Sequence, residues 1–166
     1  MLGSIIGDIV GSTREWHNIK TEDFELVPKG SRFTDDTVMT LAVAKWLMDD
    51  PTHKVDYLVR IMQDMGRRYP HAGYGGMFRK WLSSDNPQPY GSYGNGSAMR
   101  VSPIGMYANS LEEALELAHI SASVSHNHPE GIKGAQAIAA CVYMQKNERW
   151  GAKEQIRHYI QDTFGY

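Results

Sequence analysis

The 166-residue sequence predicts an all-α fold, and three observations lead there. Apolar residues recur at the spacing of one helix face along most of the chain, most clearly at Val55, Leu58, Val59, Met62 and Met65. Helix-start signals stand where such stripes begin: Thr34 ahead of "DDTVMTLAVAKW", Ser110 followed three residues later by Glu113, and Pro129 ahead of "EGIKGAQAIAACVYMQ". Runs alternating with period two are scarce, and the one candidate strand, "DFELVPKGSRF", is interrupted by Pro28 and Gly30. These signals add up to roughly seven or eight helices joined by functional loops.

Taken in order, Ile5, Ile6, Ile9 and Val10 mark a first helix, and a long loop runs from Ser12 to Phe33. Val38, Leu41, Ala42, Lys45, Trp46 and Met48 continue the helical spacing after "TDDT", and the Val55–Met65 stripe follows. The glycine loops "YPHAGYGG" and "SDNPQPYGSYGNGS" flank another helical pattern. "NSLEEALELAHI" opens on a capping box, in which a Ser side chain and a Glu three residues on satisfy free N–H groups. After Pro129, the residues Gly131, Gly134, Ala135 and Ala139 form a small-residue face suited to close helix packing. "AKEQIRHYIQDTF" is a last amphipathic helix. With no repeat, linker or low-complexity stretch, the chain reads as one domain over residues 1–166, and a domain of this size buries about 70% of its unfolded surface.

Composition excludes several classes. A net charge of −2 and only short basic pairs, Arg67–Arg68 and Arg79–Lys80, leave no stripe for nucleic acid. The apolar start carries Asp8 and lacks a basic leader region, so it does not read as a signal peptide. Nor does any stretch approach the roughly 20 apolar residues of a membrane span. One cysteine, Cys141, cannot form an internal disulfide and fits a reducing, cytoplasmic setting.

Four stretches bear on chemistry. In "TDDT", Thr34 is an ordinary helix cap, and acids at a helix start favour the dipole. That explains one acid better than two, because neighbouring helix positions point about 100° apart. Asp35 and Asp36 therefore read either as cap acids or as oxygen ligands of a hard cation such as Mg²⁺. In "GDIVGSTREW", Asp8 suits capping, while Glu15 reads either as a solvated acid or as a general acid or base in a loop that returns to "TDDT". Gly73, Gly75 and Gly76 run into a helical pattern, where free N–H groups suit a phosphate, and Tyr74, Tyr90 and Tyr93 offer rings for stacking. Neither glycine loop is a nucleotide-binding fingerprint, because the required Lys or preceding strand is missing. "SHNHPEG" lacks the further ligands a zinc pair needs, which leaves helix capping or a single ligand-bonding histidine.

Four blocks in order, "GDIVGSTREW", "RFTDDT", "GNGSAMRVSPIG" and "SHNHPEGIKGA", resemble the ADP-ribosylglycohydrolase family, which includes the dinitrogenase reductase-activating glycohydrolase. The resemblance implies a compact helical domain with two magnesium ions at the base of an ADP-ribose cleft. By position, Thr34, Asp35 and Asp36 match metal ligands, and Glu15 the glutamate beside the scissile bond. Glu15, Asp35 and Asp36 are thus the implied catalytic set. Gly73, Gly75 and Gly76 match the diphosphate loop. Asn95, Gly96, Ser97 and Met99 match the wall at the distal ribose and phosphate, Tyr93 an adenine contact, and His126 a ligand-side histidine.

The resemblance has one departure. The family's second Asp-x-Asp-Thr block has no counterpart here, and "IQDTFGY" is not a substitute. The expectation is a C-terminally truncated family domain with a half-built metal centre. An apolar face would then be exposed around the first helix and residues 129–146, to be covered by a second copy or a complementary C-terminal chain. The implied function is Mg-dependent hydrolysis of the glycosidic bond between ADP-ribose and a protein or small-molecule acceptor, weak or absent in the chain alone. The alternatives are a non-catalytic ADP-ribose or nucleotide binder and a structural protein.

Overall fold

A computed structural model describes residues 1–15, 17–147 and 152–166; Trp16, at the end of the first family block, lies outside them. The described residues form eight helices and no strand: α1 Leu2–Gly11, α2 Asp35–Asp49, α3 Val55–Arg68, α4 Gly76–Ser83, α5 Ser102–Tyr107, α6 Leu111–Ser123, α7 Pro129–Asn147 and α8 Ala152–Phe164. None is long and apolar enough to cross a membrane. The all-α expectation holds. The stretch considered as a strand is irregular, because Pro28 removes a ladder donor and Gly30 takes a φ of 101°.

α2 is the central helix. Val38, Met39, Ala42, Val43, Trp46 and Leu47 are all buried in the core, so it is apolar around nearly its whole circumference, as a helix enclosed by others must be. It packs against α1, α3 and α5. Leu58, Ile61 and Met62 of α3 and Phe78, Trp81 and Leu82 of α4 complete one side of the core. Leu117, Ala118 and Ala122 of α6 meet Ala135 and Ala139 of α7 on the other. The small-residue face of α7 does what its composition suggests: at Gly105 of α5, a Cβ would stand 2.5 Å from the Ala139 carbonyl oxygen and 2.9 Å from the Tyr143 nitrogen.

The caps are as the sequence reads. The Thr34 hydroxyl accepts the Asp36 N–H at 3.3 Å, and that of Ser110 accepts the Glu113 N–H at 3.0 Å. The return arm of the capping box lands one residue early, on the Asn109 N–H, at 2.7 Å.

α1 differs from the other long helices in burying none of its residues. Leu2 is 72% and Ile6 59% exposed, and Ile138 of α7 is exposed as well. These side chains are the exposed apolar residues near the surface expected around the first helix and α7.

Candidate active site

The N-terminus of α2 organises the site, and Asp8 of α1 holds it in place. Asp8 accepts the Thr34 N–H at 2.8 Å and the Thr34 hydroxyl at 2.6 Å. Its Oδ2 also accepts the Thr37 N–H at 3.1 Å and the Thr37 hydroxyl. A helix start carries N–H groups without intrahelical partners, and a carboxylate is their best acceptor. Asp8 is thereby committed to capping, one of the roles its sequence context suggests.

With Asp8 so occupied, Asp35 and Asp36 are left to face open space, in two directions. Asp36 lines a cavity of about 610 Å³ together with Glu15, Asn18, Thr34 and Thr40. Asp35 lines a second cavity of about 420 Å³ with Gly75, Gly76, Phe78, Tyr90, Gly96 and His126. Asn95 and Met99 belong to both walls, so the acid pair stands where the two cavities meet. The roughly 100° step between successive helix positions sends adjacent acids into adjacent cavities.

Electrostatics sets this corner apart. Burial raises the Asp35 carboxyl to about 6, and the charges of Asp36, Glu15 and Asp8 push the same way. Asp36 is raised by burial and then by Asp8 and Glu15, with the Thr34 hydroxyl opposing. The charged neighbours that move both groups are thus acids. Partly buried carboxylates that repel one another are stabilised by a proton or a cation. Asp35, Asp36 and the Thr34 oxygen are hard oxygen donors of the kind that would hold a cation such as Mg²⁺. They are too few for a full shell. Among the described residues no group of three or more His, Cys, Asp or Glu side chains is arranged to hold a metal ion.

The loops around the pair are fixed by specific contacts. The Asp35 N–H donates to the Ala72 carbonyl at 2.8 Å. Gly73 then turns with a φ of 108°, and a Cβ there would meet the Asp35 Oδ1 at 3.3 Å. Gly73 therefore serves the turn and the close approach, while Gly75 and Gly76 line the smaller cavity at the start of α4, which has no side-chain cap. The 90–99 loop is stapled down by Tyr90 N–H to the Ser125 carbonyl at 3.1 Å, Gly91 N–H to Asn127 Oδ1 at 2.7 Å, and the Thr40 hydroxyl to the Met99 carbonyl at 3.3 Å.

The structure brings Glu15, Thr34, Asp35, Asp36, Gly75, Gly76, Asn95, Gly96, Met99 and His126 to the two cavities. It places Gly73, Ser97 and Tyr93 outside the walls of both. Ser97 is 1% exposed and gives its hydroxyl to the Gly131 carbonyl at 2.7 Å, joining the loop to α7. Tyr93 is 76% exposed and meets His128 edge-on at 5.4 Å. Nor does Tyr74 offer a stacking face: it is buried against Phe78, and its hydroxyl has no hydrogen-bond partner. Burial and then the Asp35 charge push that phenol up to about 12. Of the three tyrosines, Tyr90 is the one on a cavity wall, 5.4 Å from the His126 ring.

Sequence reasoning missed Arg100 and Ser125, both fully buried behind the 90–99 loop. Arg100 donates to the Gly96 carbonyl at 3.1 Å, to the Ser121 carbonyl and hydroxyl, and to the Ser125 hydroxyl at 3.0 Å. Burial lowers its guanidinium to about 10. The available signal was an arginine inside the otherwise small and apolar run "GSAMRVSPIG".

The family model described as ADP-ribosylglycohydrolase matches residues 1–165. ADP-ribosylhydrolase ARH3 of Mus musculus is 29% identical over 199 residues, covering 100% of this chain and 52% of the mouse protein. The Homo sapiens protein of the same name is 29% identical over 201 residues, covering 100% and 53%. That of Xenopus tropicalis is 28% identical over 172 residues, covering 87% and 49%. The chain thus spans about half the length of the curated relatives it matches. Matched by the family model across all but its last residue, the chain belongs to the ADP-ribosylglycohydrolase family.

Proposed function

We propose that the chain carries the ADP-ribose cleft of a hydrolase that breaks the glycosidic bond between ADP-ribose and a modified acceptor. The observation that carries this reading is the acid pair Asp35 and Asp36 at the junction of two cavities, with Glu15 on the wall of the larger one and its charge felt by both acids. The paired cavities suit an elongated ligand with a polar centre.

In this reading the smaller cavity takes the nucleotide side. The N–H groups at the start of α4, beside Gly75 and Gly76, face the diphosphate, and Tyr90 and Met99 wall the apolar part. The larger cavity takes the acceptor side, with Glu15 at its exposed margin. Asp35, Asp36 and the Thr34 oxygen are the donors for Mg²⁺, which when bound supplies positive charge at the ribose hydroxyls and the breaking anomeric bond. Glu15 moves the proton. As the bond between the anomeric carbon and the acceptor breaks, water's oxygen joins the carbon, and its two protons end on the new hydroxyl and the released acceptor. Asp8 holds the α2 start so that both acids keep their directions.

Two carboxylates and a hydroxyl hold magnesium weakly, so we expect turnover by the chain alone to be slow. The apolar face of α1 would receive a second copy or a complementary chain that completes the centre. The test is hydrolysis of ADP-ribosyl-arginine and ADP-ribosyl-serine peptides with Mg²⁺. Slow turnover abolished by Asp35→Ala supports the reading. Fast turnover by the isolated chain, lost in that variant, refutes the half-built centre.

A second reading, a non-catalytic ADP-ribose binder, is favoured by the lack of a metal-holding group of three or more such side chains among the described residues. Binding that survives EDTA, with no turnover, would establish it.

A further inference from the structure

We infer that Arg100 and Ser125 lock His126 in the tautomer that carries its proton on Nε2. The ring then presents a fixed hydrogen-bond donor to an acceptor oxygen of a ligand in the smaller cavity. The ligand half of this inference rests on the function proposed above.

The lock follows from donor and acceptor chemistry. Arg100 can only donate, and its Nη2 stands 3.0 Å from the Ser125 oxygen, so that oxygen is the acceptor. Ser125 is fully buried, and its own O–H needs an acceptor of its own. The remaining partner of the Ser125 side chain among the described residues is His126 Nδ1, 2.9 Å away. Nδ1 must then offer its lone pair. A neutral imidazole that accepts at Nδ1 carries its proton at Nε2.

The neutral form is itself enforced. Burial, and then the Arg100 charge, lower His126 to about 4. Tyr90 and Phe78 hold the ring in place, with centroids at 5.4 and 6.3 Å.

Position makes this a recognition device. His126 is 5% exposed and lines the cavity with Asp35, Asn95 and Gly96. A Cβ on Gly96 would lie 2.7 Å from Nε2, so the glycine leaves that edge of the ring uncovered. The same Arg100 holds the Gly96 carbonyl at 3.1 Å. One buried cation therefore sets both the ring's proton and the loop that clears space beside it. Arg100 is a positioning residue, acting through Ser125.

The test is long-range ¹H–¹⁵N NMR of the histidine rings in the full chain, with calorimetry of ADP-ribose binding. The expected spectrum shows His126 protonated at Nε2. In Ser125→Ala the Nδ1–H form should gain a comparable population, and affinity should fall about tenfold, the worth of one hydrogen bond. Ser125→Thr keeps the hydroxyl and should restore both. An Nδ1–H form in the parent chain, or an unchanged tautomer in a folded Ser125→Ala variant, overturns the lock. The expected tautomers without any ADP-ribose affinity would support the lock and overturn the proposed function.

Discussion

Asp8 of α1 caps a helix to which it does not belong: its two oxygens accept the backbone N–H of Thr34 at 2.8 Å and the Thr34 hydroxyl at 2.6 Å. With Thr37 bound by the same carboxylate, this contact ties α1, which buries no residue of its own, to the central helix. Asp8→Ala should destabilise the chain by about 2–4 kcal/mol in urea denaturation, as expected for losing a charged acceptor shared by several donors. It should also lower the Asp36 carboxyl, because Asp8 is the largest charged contributor raising it.

The Asp35 carboxyl makes stability fall as pH rises. Its value is about 6 in the folded chain against 3.8 for the free side chain, so between these limits the folded state binds more protons than the unfolded state. Unfolding free energy then decreases from about pH 4 to about pH 6 and stays reduced above. Thermal melts of the metal-free chain should show this slope, and Asp35→Asn should reduce it, leaving the smaller part that the raised Asp36 carboxyl contributes. Mg²⁺ added at pH 7 should recover part of the loss in the parent chain and none in Asp35→Asn.

Two glycines separate rigid from yielding packing. Gly105→Ala drives a Cβ into the Ala139 carbonyl and the Tyr143 nitrogen of α7. Backbone cannot swing aside, and the expected cost is about 2–3 kcal/mol. Gly66→Ala meets only the Leu82 side chain, at 2.6 Å. That side chain can change rotamer, and alanine favours the helix by about 1 kcal/mol, so the net change should be close to zero.

The exposed α1 face should drive association. Leu2 and Ile6 lie on a helix without buried residues, and uncovered apolar patches associate. Sedimentation should show self-association of the parent chain, reduced by Ile6→Lys. A monomer at all concentrations would instead favour a different partner for this surface.

Helices were legible because each signal is local. The Thr34 and Ser110 caps, Pro129 at the start of α7, and the period of α3 need only a few neighbouring residues to act. α5 escaped notice because six residues are too few to show a period. The acid pair was legible as an anomaly, while its resolution was not. Which cavity each acid enters depends on Asp8 taking up the capping duty, a contact across 26 residues of sequence. Ser97 illustrates the limit from the other side. Its place in a family block implies a ligand contact, yet its hydroxyl is turned inward to Gly131, 34 residues away. Arg100 and Ser125 were missed for the same reason: their link spans 25 residues and is sealed from the surface.

The central claim is that Asp35 and Asp36 serve a cation-dependent ADP-ribose site. Calorimetry of the full chain with ADP-ribose, in Mg²⁺ and in EDTA, tests it most directly, with Asp36→Asn alongside. The account predicts measurable binding in Mg²⁺ that weakens at least about tenfold in EDTA and equally in the variant, which loses one charged contact to the cation. Binding of equal strength in Mg²⁺, in EDTA and in Asp36→Asn would contradict it.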